Sequence, residues 1–192
     1  MRSLFRPAMA MVCLALTSAA FAADSPRVEV VTNVGNFVIE LDPLRAPLTV
    51  ENFLHYVKEG FYTGTVFHRV VPGFVAQGGG YTQDLKEKPA DQKPVPNESG
   101  NGLSNLRGAI GMARSNDPHS ATTQFYVNLA DNAELDPRPT RWGYAVFGKV
   151  VSGLDVVDKI GTRATHAAGP FNSSVPVDMV VINKIEVLSN NK

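Results

Sequence analysis

Segment 67–79 constrains the fold and chemistry of this chain more than any other part of the sequence. Two apolar, strand-like halves flank Pro72-Gly73, a dipeptide typical of a tight turn, so the segment is predicted to form a hairpin. Within it, Arg69, Phe74 and Gln77 place a guanidinium, an aromatic ring and a carboxamide among apolar neighbours. This combination suits a pocket for a proline ring and the carbonyl before it. Neither a nucleophile–base pair nor a metal cluster accompanies them, which indicates chemistry that breaks no covalent bond.

Residues 1–22 have the pattern of a secretory signal peptide. Arg2 and Arg6 give a basic start, the run 7–21 is almost entirely apolar or small, and Ala20-Phe21-Ala22 supplies the small residues of a cleavage site. We predict cleavage after Ala22 and no membrane association afterwards. A retained membrane anchor is the alternative, but the apolar run is shorter than the ~20 residues that a spanning helix needs.

The rest of the chain, residues 23–192, has the length of one domain. Cys13, the chain's only cysteine, is lost with the signal, so no disulfide is expected. Lys and Arg total 18 and Asp and Glu total 18, with no basic run, so we expect no nucleic-acid partner. His55, His119 and His166 lack metal-ligand spacing, and we expect neither a metal nor a cofactor.

Short strand candidates recur along the mature chain. The first two, 27–32 and 36–41, alternate apolar and polar residues around a glycine-containing connection and predict a hairpin. Two helices are predicted at 49–62, where apolar residues recur three or four apart, and at 153–160. Many short strands with only two helices predict a mainly β fold, a closed antiparallel barrel with helices at its ends. The remaining strand candidates are 66–71, 74–78, 109–113, 124–128, 145–150 and 179–188.

Loop 81–104 is long for a compact domain and rich in polar residues, proline and glycine. Loops of this length are usually functional or poorly ordered. Two interpretations remain open, a rim beside the proposed site and a packed surface loop.

Segment 67–79 reads Phe-His-Arg-Val-Val-Pro-Gly-Phe-Val-Ala-Gln-Gly-Gly and resembles the cyclophilin signature. Three further blocks, 108–114, 123–127 and 146–150, agree with the family in the same order. With the first predicted helix, the resemblance covers nearly the whole mature chain, and it is strongest to the periplasmic cyclophilins of Gram-negative bacteria. It implies an eight-stranded barrel capped by two helices, peptidyl-prolyl cis-trans isomerase activity and a periplasmic location.

The resemblance also implies roles for individual residues. It marks Arg69 as the catalytic arginine, with Phe74 and Gln77 beside it. Phe74 would also form the proline pocket, together with Val75, Tyr126 and Leu135. The other substrate-binding residues would be His68, Ala113, Arg114, Gln124 and Tyr144, although a structural role is open for His68.

The implied reaction needs no covalent intermediate. An X–Pro amide is planar by resonance, with a rotation barrier of about 18–20 kcal/mol. In the twisted amide the prolyl nitrogen regains its lone pair, and a guanidinium such as that of Arg69 can donate a hydrogen bond to it. The expected partners are proline-containing unfolded or extended polypeptides.

Two positions depart from the family pattern. In cyclosporin-sensitive cyclophilins a tryptophan precedes the pocket leucine, whereas Glu134 precedes Leu135 here and the only tryptophan is Trp142. We therefore expect weak cyclosporin binding with turnover intact. Tyr126 stands where a phenylalanine is usual, and its hydroxyl is expected at the pocket rim.

Two other classes of function compete with an isomerase. A peptide-binding chaperone or scaffold could use the same groove without turnover, although such a protein has no need of Arg69. A hydrolase is the weaker alternative, because Gly-x-Ser-x-Gly is missing and no Ser/His/Asp or Cys/His set can be assembled. No oligomerisation element is visible in the sequence, so a monomer is the default expectation.

Overall fold

The computed structural model describes residues 25–189, and the predicted signal peptide, residues 1–22, lies outside them. Within the described residues the chain forms ten strands, two α-helices and one turn of 3-10 helix. Helix α1 spans Pro47–Lys58, helix α2 spans Leu154–Gly161 and the 3-10 turn spans Ala133–Leu135. The strands are β1 Arg27–Thr32, β2 Gly35–Leu41, β3 Arg69–Val71, β4 Val75–Gly78, β5 Ala109–Met112, β6 Phe125–Asn128, β7 Val146–Ser152, β8 Thr165–Ala168, β9 Phe171–Pro176 and β10 Ile182–Leu188.

The main sheet has eight antiparallel strands in the order β10-β1-β2-β7-β5-β6-β4-β3 and curls into an open half-barrel. The predicted mainly β fold with two helices is confirmed, but the predicted closed barrel is wrong. Edge strands β10 and β3 do not pair with each other. The chain before β3 meets the start of β10 at an isolated bridge between Val66 and Val181, with backbone hydrogen bonds on either side of it. These contacts end before β3 begins, so no ladder between β3 and β10 closes the sheet.

A second, two-stranded sheet, formed by β8 and β9, was not predicted from the sequence. Half of its residues are exposed and only two are buried, so segment 165–176 lacks the apolar alternation that marks a strand. Its one local signal is the turn at Gly169-Pro170, where Gly169 has a positive φ of 53°. The hairpin packs against β3 through β9, next to the pocket described below.

Helix α1 anchors the core through an aromatic cluster. The ring of Phe53 lies 5.3 Å from that of Tyr62, 5.6 Å from that of Phe125 on β6 and 5.2 Å from that of Phe147 on β7. The helix begins two residues before its predicted start because Pro47 already has the φ of a first helical turn. It ends before Gly60, whose φ of +64° continues no helix. No helix within residues 25–189 is long and apolar enough to cross a bilayer.

The β3–β4 hairpin forms as predicted and sets the position of the site. Gly73 occupies the turn with a φ of +71°, and the Phe74 N–H closes the turn on the Val71 carbonyl. In the antiparallel register Arg69 pairs with Gln77. Val70 is fully buried in the core, so Arg69 and Gln77 project from the other face of the hairpin.

Candidate active site

Arg69 and Gln77 are cross-strand neighbours on the outer face of the β3–β4 hairpin. Arg69 Nη1 donates to Gln77 Oε1 over 3.4 Å, and the Arg69 guanidinium carbon lies 5.9 Å from the centre of the Phe74 ring. Arg69 is half-buried, and no carboxylate within residues 25–189 forms an ion pair with it. Its remaining N–H groups are therefore available to a ligand.

These residues form one side of a cavity of about 230 Å³. The other walls come from the end of β5, from β6, from the 3-10 turn and from the chain before β7. The cavity is smaller than the ~300–1,000 Å³ of typical small-molecule sites, as suits one ring with its adjoining backbone. Its lining residues are Arg69, Phe74, Val75, Gln77, Ala113, Arg114, Tyr126, Leu135 and Tyr144.

Gln124 does not line this cavity, but it contacts Gln77. The Gln77 amide nitrogen donates to Gln124 Oε1 over 2.9 Å, which leaves Gln77 Oε1 facing Arg69. The Gln124 side chain fits because residue 80 is glycine, where a Cβ would lie 2.3 Å from Gln124 Cγ. Gln124 thus orients Gln77.

The second arginine of the cavity, Arg114, uses each of its three guanidinium nitrogens in a hydrogen bond to the protein. Its guanidinium donates to the carbonyls of Gly143, Ser115 and Trp142 over 3.2, 2.8 and 3.1 Å. Its guanidinium carbon also lies 4.4 Å from the centre of the Tyr144 ring. Arg114 therefore forms a wall and holds chain 142–144 in place, whereas Arg69 retains free donors.

The structure does not bring the His68 side chain to the cavity. His68 is only 2% exposed, and its ring lies 4.6 Å from that of Tyr81 and 5.2 Å from that of Phe171 on β9. Successive residues of an extended chain point to opposite sides, so His68 turns inward where Arg69 turns outward. Its Nδ1 atom has no hydrogen-bond partner within residues 25–189, and burial lowers the pKa of His68 from 6.5 to about 4. The ring is therefore neutral near pH 7 and has a packing role.

The Tyr126 hydroxyl lies behind the cavity and not at its rim, which corrects the sequence-based expectation. Tyr126 is 3% exposed, and its hydroxyl donates to Asn105 Oδ1 over 2.7 Å. Burial raises the pKa of the Tyr126 phenol well above its ordinary value, so the phenol remains a donor. Asn105, which is almost fully buried, was missed by the sequence analysis because a polar residue in a loop gives no local signal for a tertiary contact.

Loop 81–104 packs on the body of the protein, and none of its residues lines the cavity. Val95 and Ser99 are buried, and Val95 forms a β-bridge with Ala121. The Glu98 carboxylate accepts hydrogen bonds from the backbone N–H groups of Leu48 and Thr49, at the start of α1. A carboxylate there stabilises the helix N-terminus. Of the two interpretations of the loop, these contacts favour the packed surface loop.

Comparison with known proteins agrees with this geometry. The family model described as "Cyclophilin type peptidyl-prolyl cis-trans isomerase/CLD" matches residues 27–187. Peptidyl-prolyl cis-trans isomerase A of Dickeya dadantii is 50% identical over 184 residues, covering 94% of this chain and 96% of that protein. A peptidyl-prolyl cis-trans isomerase of Acinetobacter baylyi is 47% identical over 183 residues, covering 95% and 96%. Peptidyl-prolyl cis-trans isomerase B of Escherichia coli is 48% identical over 159 residues, covering 81% and 96%.

Solved structures share the fold at lower identity. A crystal structure of a Cryptosporidium parvum cyclophilin type peptidyl-prolyl cis-trans isomerase superposes with a TM-score of 0.69 at 24% identity, covering 86% of this chain and 99% of that chain. The chain therefore belongs to the cyclophilin-type peptidyl-prolyl cis-trans isomerase family. It is an enzyme that interconverts the cis and trans forms of X–Pro bonds, as the resemblance implied.

The burial of His68 predicts a dependence of stability on pH. The unfolded chain takes up a proton at His68 below about pH 6.5, whereas the folded protein does so only near pH 4. Because protonation then favours the unfolded chain, the neutral His68 ring stabilises the fold fully above pH 6.5. As the pH falls from 6.5 to 4, the free energy of unfolding decreases by about 3 kcal/mol in total. Urea unfolding between pH 7 and pH 4 measures it.

Two variants isolate this effect. His68→Phe keeps an aromatic ring beside Phe171 and should flatten the pH dependence. Asn172→Gln, which changes an exposed and non-titratable side chain on β9, should leave the pH dependence as in the wild type. An unchanged pH dependence in His68→Phe would contradict the assignment to His68.

Proposed function

We propose that this isomerase acts on X–Pro bonds of unfolded or extended polypeptides, with Arg69 as the catalytic residue and Phe74 and Gln77 beside it. One observation carries this assignment. Of the two arginines in the cavity, Arg114 donates to three backbone carbonyls, whereas the one side-chain hydrogen bond of Arg69 within residues 25–189 is the 3.4 Å contact with Gln77. Arg69 is therefore the arginine whose N–H groups are available to donate a hydrogen bond to the substrate.

The proposed mechanism is preferential binding of the twisted amide. Rotation of an X–Pro bond by about a quarter-turn removes the conjugation that gives the bond its barrier of about 18–20 kcal/mol. The prolyl nitrogen then carries a lone pair that accepts a hydrogen bond, which it hardly does in either planar form. Arg69 donates to this lone pair, so the twisted state gains an interaction that the ground states lack. No proton transfer or covalent intermediate is needed.

The other cavity residues hold the substrate while the bond turns. Phe74, Val75, Tyr126 and Leu135 enclose the proline ring, and the segment Ala113–Arg114 faces the extended peptide. Gln77, oriented by Gln124, keeps its carbonyl oxygen towards Arg69. Support for a proline-containing ligand comes from a second Cryptosporidium parvum structure of the same fold, which was determined in the presence of the dipeptide Ala-Pro. The described cavity is formed by a single chain, and we propose that a monomer is active.

Replacement of Arg69 tests this mechanism. We expect Arg69→Ala to lower kcat/KM for an Ala-Pro peptide by about 10- to 1,000-fold while the fold is retained, because the contact exists only in the transition state. The measurement is the rate of isomerisation after a solvent jump, with circular dichroism as the check on folding.

Arg45→Ala is the matched control, because Arg45 is exposed and does not line the cavity. This variant should keep the wild-type rate. Near-wild-type turnover in Arg69→Ala would refute the proposed mechanism. Negligible turnover in the wild type with intact peptide binding would instead support a peptide-binding chaperone, whose activity a client-aggregation assay on Arg69→Ala would show.

We also propose that the enzyme works on exported polypeptides in the periplasm. Support comes from the basic start, the apolar run and the small residues at Ala20 and Ala22. The full-length chain expressed in a Gram-negative host should be recovered from the periplasmic fraction with Ala23 as its first residue, as intact mass would show. Ala22→Arg should leave a longer, membrane-retained form. A wild-type protein that keeps Met1 and stays in the cytoplasm would refute export.

Weak cyclosporin binding with intact turnover is a further part of the proposal. Glu134 is exposed on the 3-10 turn next to Leu135 and offers neither the apolar area nor the N–H donor of an indole. We expect Glu134→Trp to lower the inhibition constant of cyclosporin by at least about tenfold, since about 1.4 kcal/mol of added contact suffices. The matched control Glu134→Gln removes the charge without adding a ring and should change inhibition little. Submicromolar inhibition of the wild type would contradict this expectation.

A further inference from the structure

Three buried asparagines lie behind the cavity without lining it. Asn105, Asn128 and Asn132 are 1%, 0% and 3% exposed, and we call them the asparagine cluster. They are joined to one another, because Asn128 Nδ2 donates to Asn105 Oδ1 over 3.2 Å and Asn132 Nδ2 donates to Asn128 Oδ1 over 2.7 Å. Buried amides of this kind are costly unless their hydrogen bonds are made, so their partners are informative.

One side of the cluster holds the 3-10 turn that carries Leu135. The backbone N–H and the side-chain Nδ2 of Asn105 both donate to Asp136 Oδ1 over 2.8 Å, directly after Leu135. The backbone N–H of Asn132, just before the turn, donates to the carbonyl of Asn105 over 2.8 Å. Asn105 therefore fixes both ends of the turn that presents Leu135 to the cavity.

The other sides of the cluster hold the two aromatic walls. Asn105 Oδ1 accepts the Tyr126 hydroxyl over 2.7 Å, and Asn132 Nδ2 donates to the carbonyl of Phe74 over 2.9 Å. Phe74, Tyr126 and Leu135 belong to three separate elements, namely the β3–β4 turn, strand β6 and the 3-10 turn. All three walls thus have hydrogen bonds to the same cluster, directly or through the neighbouring residue.

We propose that the asparagine cluster is the positioning device of the proline pocket, with Asn105 as its centre. This inference rests on the proposed function, because it assumes that the three walls enclose a proline ring. Apolar contact alone is non-directional and would let three independent walls drift apart. A buried, satisfied hydrogen-bond network sets their spacing before the ligand arrives and so lowers the ordering cost of binding.

The cluster should affect binding more than rotation. The walls grip the proline ring, whose shape is the same in the planar and the twisted amide, whereas Arg69 acts on the nitrogen that changes. If the walls are loosened, the ground state and the transition state lose the same amount of binding energy. KM then rises while kcat is unchanged. Loss of Arg69 has the opposite signature, a fall in kcat. The two proposals therefore have separate kinetic readouts.

The test compares Tyr126→Phe, which removes only the hydroxyl bonded to Asn105, with Tyr62→Phe. Tyr62 is equally buried and donates its own hydroxyl to the Thr123 carbonyl over 2.9 Å, outside the cavity. Both variants should lose a similar and modest amount of stability, because each loses one buried hydrogen bond. Only Tyr126→Phe should raise KM and the Kd for a short Ala-Pro peptide, by about three- to tenfold, with kcat within about twofold of the wild type.

Asn105→Ser and the double variant complete the design. Asn105→Ser should raise KM at least as much as Tyr126→Phe, and the double variant should be no worse than Asn105→Ser alone, because both changes break the same bond. If Asn105→Ser does not fold, Tyr126→Phe against Tyr62→Phe decides the question. An unchanged KM in Tyr126→Phe, or a fall in kcat at constant KM, would overturn the positioning role. Arg69→Ala, measured in parallel, reports on the proposed function independently.

Discussion

The antiparallel pairing of β3 with β4 is the constraint on which the site depends. It places Arg69 opposite Gln77 on one face and puts Val70 and Ala76 on the other, inside the core. A shift of one residue would exchange these faces and bury the guanidinium. The Pro72-Gly73 turn sets the register, since Gly73 takes the positive φ that a short connection requires. The geometry of the cavity and the packing of the core are thus consequences of the same pairing.

Other elements of the fold supply the remaining walls of the cavity beside that hairpin. Strand β6 pairs with β4 and brings Tyr126 opposite Gln77, and the 3-10 turn that follows brings Leu135. The open half-barrel leaves β3 as an edge strand. The β8–β9 hairpin packs against this edge, and the ring of Phe171 on β9 stacks on the ring of His68. Covering an edge in this way protects backbone groups that would otherwise pair with another chain.

The two arginines of the cavity differ in how many of their hydrogen-bond donors the protein uses, because different groups surround them. The carbonyls of Ser115, Trp142 and Gly143 converge on Arg114 and use its donors, so that side chain is a structural strut. Arg69 faces an amide oxygen at 3.4 Å and keeps donors for a ligand. The same holds behind the cavity, where the side-chain amide nitrogens of all three asparagines of the cluster donate to acceptors within the protein.

The sequence by itself determined the elements of the main sheet, both helices and the class of enzyme, because local signals carry them. Apolar spacing indicated both helices, Pro72-Gly73 indicated the hairpin, and the pattern around Arg69 indicated the pocket. Only the tertiary structure decided what depends on distant contacts: that the sheet stays open, that His68 turns inward, and that the Tyr126 hydroxyl meets Asn105. Each of these depends on contacts with distant parts of the chain, which for His68 are the rings of Tyr81 and Phe171, and no local pattern encodes such contacts.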